Sequence, residues 1–122
     1  MSNWKNVPQN IEDYLGFVYL IINKINKRKY IGKKLFWFKK GKNKVESDWK
    51  DYYGSCNELT ADIEKYGKKN FTRIIIRFCK TRFEWSYWEM KYQVDNEVLF
   101  DPMYYNQLIR VRLKAPKKIK GD

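Results

Sequence analysis

At 122 residues, 43% of them apolar, the chain is one domain of ordinary size, with enough aromatic mass to close a single core and no room for a second. Its formal net charge is +12 and it contains no histidine, which removes the usual general base and the usual zinc ligand, so acid–base chemistry falls to Tyr, Lys, Asp or Glu. No apolar run approaches the length that spans a bilayer, the polar Met1–Asn10 lacks the apolar core of a signal peptide, and Cys56 and Cys79 stand too far apart in sequence for a C-x-x-C pair; an intracellular protein with core thiols is expected.

The charge is regional. Residues 24–50 hold eleven Lys/Arg against two acids, residues 110–122 hold six against one, and the rest nearly cancels. Two cationic blocks around a neutral core form a footprint for a polyanion, either nucleic acid or an anionic membrane surface.

In chain order, residues 1–15 read as an N-terminal extension. Gly16–Ile22 is rich in β-branched and aromatic residues, Asn23–Lys27 supplies turn chemistry, and Lys29–Lys33 returns, which predicts an antiparallel hairpin. Residues 34–47 lack periodicity and carry Gly41 and Asn43 among lysines, so a mobile basic loop is expected. Ser47 is placed to cap a helix start at Asp48-Trp49-Lys50. Asn57 is placed to cap a clear helix with Leu59, Ile63 and Tyr66 at i, i+4 and i+7, stopped by Gly67. Trp49, Tyr52 and Tyr53, with Gly54-Ser55, line a site opening or pack on the sheet.

Phe71–Cys79 alternates, with Ile74, Ile76 and Phe78 on one face and Arg73, Ile75 and Arg77 on the other, which predicts a half-buried strand joining the hairpin. From Arg82 to about Leu99 the spacing is helical, and Phe83, Tyr87, Met90, Val94 and Val98 form the expected core stripe. Glu89 lies off that stripe, on the side of Trp85, Tyr92 and Gln93. Asp101-Pro102 ends the helix, Tyr104–Ile109 forms a short closing segment, and residues 110–122 are a basic tail.

The ordered set of motifs resembles the GIY-YIG endonuclease family: Phe17-Val18-Tyr19 in place of GIY, ten residues, an intact Tyr30-Ile31-Gly32, a helix ending Lys65-Tyr66-Gly67, a strand opening Asn70-Phe71, a helix carrying Glu89, and Asn106. The spread also looks like the small free-standing nucleases of phage genomes, a group that includes homing endonucleases. The resemblance implies a small α/β (α+β) domain over residues 16–109, a three-stranded antiparallel sheet flanked by helices, that cuts double-stranded DNA with one Mg²⁺ or Mn²⁺ and no small-molecule cofactor. It implies that Tyr19 is the general base, Tyr30 the second active-site tyrosine, Glu89 the metal-binding carboxylate, Asn106 a supporting residue, and Gly32 the glycine beside the DNA.

The chain departs from the family's pattern in having no arginine between Lys29 and Thr72, where one would contact the scissile phosphate; Lys40 stands about at that place, with Lys33, Lys34, Lys39, Lys42 and Lys44 as further DNA contacts. A lysine supplies charge without a bidentate fork.

The chemistry also follows from the residues. Phosphodiester hydrolysis needs a deprotonated water, neutralisation of the pentacovalent centre and stabilisation of the leaving alkoxide. One carboxylate suits one cation that keeps most of its waters. A tyrosine is almost wholly protonated at neutral pH, and the nearby lysines and the metal are expected to favour its phenolate. The alternatives are a DNA-binding module that keeps the fold without cutting, and a basic RNA-associated or membrane-surface protein. Homodimerisation stays open, and the bacterial cytoplasm is the expected compartment for a phage-encoded protein.

Overall fold

A computed structural model of the chain describes residues 3–116. Its centre is a four-stranded sheet in the order β1-β6-β2-β3, built from β1 (Trp4–Lys5), β2 (Gly16–Asn23), β3 (Lys29–Leu35) and β6 (Phe71–Cys79). The hairpin read from residues 16–33 is β2 and β3, antiparallel, with Tyr19 opposite Gly32 and Ile21 opposite Tyr30. β6 lies antiparallel on the other side of β2.

The sheet has one strand more than expected. Trp4 and Lys5 pair parallel to β6, opposite Arg73 and Ile74, and Trp4 is buried. The segment taken for an N-terminal extension therefore supplies a strand and a core residue.

Alternating side chains give the sheet two covered faces. On one, Phe17, Tyr19, Ile21, Phe71 and Ile75 pack with Trp4, Phe36, Trp49, Tyr105 and the Leu59 and Ile63 face of α1 (Asn57–Tyr66). On the other, Val18, Ile31, Cys79 and Val98 pack under Trp85, Trp88 and Tyr92 of α2 (Arg82–Asp95). The stripe expected to face the core is thus the outer one: Val94 is 54% exposed, and Gln93 is the buried residue of the helix. Aromatic side chains with polar tips cover area as well as aliphatic ones do, which a hydropathy stripe undercounts. The helix ends at Asp95, short of Leu99, with Val98 buried in the turn beyond.

β6 also differs from its alternation. The register shifts between Val18 and Tyr19, which pair with Arg77 and Ile75, so Ile76 is an extra residue and the faces exchange there. Arg73 is buried on the core side instead of solvated. Its guanidinium lies 3.9 Å from the Tyr53 ring and 4.6 Å from the Trp4 ring, and Nη1 donates to the carbonyls of Lys50 (3.1 Å) and Tyr52 (2.7 Å).

Residues 34–47 are not a loop. β4 (Trp37–Lys40) and β5 (Asn43–Glu46) form a separate antiparallel hairpin, closed by the two-residue turn Gly41-Lys42 with Gly41 at φ +63°, a conformation open to glycine. Trp37 shields one side, with Lys44 Nζ 4.3 Å from its ring, while Phe38 and Val45 stay exposed. Ser47 anchors the return: its hydroxyl donates to the Leu35 carbonyl (2.6 Å) and accepts from the Trp49 N–H (3.2 Å). The helix expected there is one 3₁₀ turn, Trp49–Asp51. Cys56, not Asn57, is the residue that precedes α1, which stops at Gly67 as expected.

The closing segment pairs with the outer edge of β3: the Lys29 N–H donates to the Met103 carbonyl and the Tyr105 N–H to the Lys29 carbonyl, at 2.8 and 2.7 Å. Arg110–Pro116 has no regular structure, and residues 117–122 of the basic tail lie outside the described residues. Cys56 and Cys79 are free thiols, and burial pushes the Cys79 thiol up to about 11. No described helix is long and apolar enough to cross a membrane.

Candidate functional site

At the outer edge of β3, a cavity of about 310 Å³ is lined by Tyr19, Tyr30, Lys33, Tyr52, Ser55, Glu89, Gln93, Leu108 and Arg110. The two phenols come from the α1 face of the sheet, and Glu89 comes from α2 on the opposite face. They meet because β3 is the last strand and because Gly32 has no side chain. The Tyr19 phenol oxygen and ring lie where a Gly32 Cβ would stand, and Tyr30 Cε2 would be 2.9 Å from that atom. Without the glycine, the phenol of Tyr19 could not lean across β3 to the edge.

The ring centroids of Tyr19 and Tyr30 are 6.1 Å apart, and Tyr52 meets Tyr19 edge-on at 6.0 Å. Tyr52 is held from behind, through the bond from its carbonyl to buried Arg73. A second cavity, about 670 Å³, shares Tyr30, Ser55, Leu108 and Arg110 with the first and runs past Asn57 and Glu58 at the start of α1, so the two together make a groove.

The electrostatics favour neutral phenols and a strained carboxylate. Burial, reinforced by the neighbouring phenols of Tyr30 and Tyr52, pushes Tyr19 well above the ordinary tyrosine value; burial takes Tyr30 up to about 12. No lysine pulls the Tyr19 phenol down: the residue is 1% exposed, and burial with the neighbouring phenols and Glu89 all act to raise it. Glu89, with a side chain only 14% exposed, is raised to about 7 by burial, against the opposing pull of Lys33, whose Nζ is 3.7 Å from Oε1.

The remaining residues fall in different places. Asn106 is buried but grips the backbone of β3: its Oδ1 accepts from the Ile31 N–H at 3.1 Å and its Nδ2 donates to the Ile31 carbonyl at 2.8 Å. It lines the second cavity with Tyr30 but not the first with Tyr19 and Glu89, and what it holds is the backbone of β3. Gly32 is buried under Tyr19 and is not a DNA-facing surface. Lys34 is tied down, with Nζ 2.6 Å from Asp48 Oδ1 and 4.1 Å from the Tyr52 ring, and holds the Asp48 carboxyl below its usual range. Lys40 ends β4, exposed and outside the cavity lining, so it does not occupy the place of the missing arginine; Lys39, Lys42 and Lys44 share its exposed hairpin.

The cations at the cavity are Lys33 and Arg110. Arg110 gave no sign in the sequence beyond belonging to a basic tail. Gln93 carried one: it stands four residues after Glu89, on the same side of a helix.

Among the described residues no three His, Cys, Asp or Glu side chains cluster as a metal cage. What the site offers a divalent cation is one partly compensated buried carboxylate, Glu89, and, one helical turn along α2, the Gln93 amide oxygen, which has no donor among the described residues. That donor set fits a hard, mostly hydrated ion and does not fit zinc.

The family described as "Putative endonuclease segE, GIY-YIG domain" matches residues 1–109. A curated protein, "Putative endonuclease segE" of Enterobacteria phage T4, is 35% identical over 91 residues, which are 74% of this chain and 39% of that protein. The chain thus spans about two-fifths of the relative's length. No solved structure matches.

Proposed function

We propose, from a chain that belongs to the GIY-YIG endonuclease family, that the cavity at the edge of β3 hydrolyses phosphodiester bonds of double-stranded DNA with one Mg²⁺ or Mn²⁺ ion. The observation that supports this most is the gathering of Tyr19, Tyr30, Lys33, Glu89 and Arg110 around one cavity from both faces of the sheet. The likeness to a phage T4 protein described as a putative endonuclease supports a phage-type nuclease; a homing or restriction-like role in a bacterial cytoplasm is part of this reading.

Glu89 would hold the cation, which when bound supplies an acidified water and Lewis-acid stabilisation of the phosphoryl oxygens. Each remaining task falls to a residue of the chain. The phenols of Tyr19 and Tyr30, kept protonated by burial, act as neutral hydrogen-bonding groups that orient a water and a phosphate oxygen. Arg110 and Lys33 face the charge that develops on the phosphorus centre, and Arg110 brings the bidentate fork that no lysine of the β4–β5 hairpin can. Lys39, Lys40, Lys42 and Lys44 bind flanking phosphates, which makes affinity salt-dependent. Asn106 fixes the strand that carries Tyr30.

Supercoiled plasmid incubated with the protein and Mg²⁺ or Mn²⁺ should be nicked or linearised, and Glu89→Ala should abolish the product. Equal cleavage by both preparations would mark a contaminant. Salt-dependent DNA binding by a wild-type protein that never cuts would instead support the reading of a binding module that has kept the fold.

A further inference from the structure

Gln93 is 4% exposed and sits one helical turn beyond Glu89 on α2, so the two side chains leave the same face of the helix toward the same cavity. Its Nε2 donates to the Ile31 carbonyl at 3.0 Å, and that carbonyl also accepts from Asn106 Nδ2. A carbonyl accepts only from the nitrogen end of an amide, so the contact fixes which way the Gln93 amide is turned. The oxygen end, Oε1, is buried and has no hydrogen-bond donor among the described residues.

A buried acceptor without a donor costs free energy, and native proteins rarely leave one at a site without a use. The cationic groups nearby are otherwise engaged or exposed. Lys33 is shared between Glu89, Ser86 Oγ at 3.1 Å and the Trp85 ring at 4.3 Å, and Arg110 is exposed at the cavity mouth. An apolar occupant would leave the oxygen unsatisfied. A hydrated divalent cation would satisfy it, since a carboxylate and an amide oxygen are both hard donors of the kind such ions and their waters select.

We infer that Gln93 Oε1 is the second protein oxygen of the cation site, holding the hydration shell of the ion that Glu89 binds. This rests on the metal-dependent reading proposed above. Gln93 is thereby a positioning residue with two ends: the nitrogen secures β3 and the oxygen orders the ion's waters.

Two substitutions separate the ends. Gln93→Met removes both the oxygen and the donor to Ile31, whereas Gln93→Glu keeps an oxygen and loses the donor. Mn²⁺ binding to the full chain without DNA, followed by titration calorimetry and by the loss of the free-ion electron-spin signal, reads the site independently of cleavage. Gln93→Met should raise the Mn²⁺ Kd by about tenfold or more, in the range of lost outer-shell partners. Gln93→Glu should bind Mn²⁺ at least as tightly as wild type.

Equal Kd values for wild type and Gln93→Met, with binding still lost in Glu89→Ala, would overturn this inference and leave the nuclease reading standing. Equal weakening by both Gln93 variants would also overturn it, because the residue would then act through Ile31 alone. Mn²⁺ binding that is absent, or indifferent to Glu89→Ala, would overturn both readings. Should Gln93→Met not fold, Gln93→Glu decides: binding as tight as wild type or tighter upholds the inference, and weaker binding overturns it.

Discussion

Lys33 Nζ stands 3.7 Å from Glu89 Oε1, too far for a direct hydrogen bond and close enough for an ion pair, while it donates to Ser86 Oγ at 3.1 Å. The lysine follows the Tyr30-Ile31-Gly32 motif directly and the glutamate sits on α2, so the contact joins strand and helix at the cavity. It compensates the buried carboxylate only in part, which is why Glu89 titrates near neutrality rather than with free carboxylates.

Stability without metal therefore depends on pH through Glu89. Its folded value, about 7, lies above the ordinary 4.5, so the folded protein holds an extra proton between these values. The associated stability is fully present below about 4.5 and is lost as pH rises through about 7. Glu89→Gln should flatten this dependence and stabilise the metal-free protein at pH 8 by roughly 1–3 kcal/mol. Urea midpoints at pH 5 and pH 8 in the presence of a chelator measure it; parallel changes in wild type and variant would refute it.

Gly32→Ala should damage fold and site together. The new methyl group would collide with the Tyr19 phenol oxygen and stand 2.6 Å from Cζ, so the ring must leave the cavity edge. An overpacking cost of about 1–3 kcal/mol is expected. Tyr19→Phe in the Gly32→Ala background should recover only part of the melting temperature, because the ring carbon clashes as well. Full recovery would show that the oxygen alone was in the way.

Asn106→Ala should cost about 1–3 kcal/mol, since it leaves the buried Ile31 N–H without a partner while the Ile31 carbonyl keeps Gln93. Hydrogen exchange provides the local reading: the Ile31 amide should lose protection by more than the global stability change accounts for. Unchanged protection there would contradict the clamp.

Arg110 and Lys40 should separate kinetically. Arg110→Ala is expected to lower the single-turnover cleavage rate on the order of 10²-fold, as for loss of one preorganised charge-stabilising donor. Lys40→Ala should act on DNA affinity and reduce the slope of log K against log salt by about one. Reversed effects would put the transition-state contact on the β4–β5 hairpin after all.

Ordered motifs made Tyr19, Tyr30 and Glu89 legible in the sequence, because side chains that must converge keep their order along the chain even when 70 residues separate Tyr19 from Glu89. The hairpin β2–β3 was legible from its β-branched and aromatic residues around the Asn23–Lys27 turn, and helix α1 from the Leu59, Ile63 and Tyr66 spacing. β4 and β5 were hidden because their outward residues are lysines and their inward face is little more than Trp37. The buried face of α2 was misjudged because its cover is Trp85, Trp88 and Tyr92 with an amide and a carboxylate among them, while the aliphatic Val94 points outward. The bulge at Ile76 obscured which face of β6 buries Arg73, since one added residue exchanges the faces. Arg110 lacked any periodic or motif context; only the path of the closing segment brings it to the cavity.

The Ile31 carbonyl is gripped by amides from two places far down the chain, Gln93 and Asn106. A growing polypeptide that has left the ribosome only as far as the first helix owns both phenols and most of the lysine arm, yet lacks the acid and both clasps. Such a fragment lacks the carboxylate and both amides that complete the cavity. The cavity is therefore complete only once the second helix and the closing segment have been made.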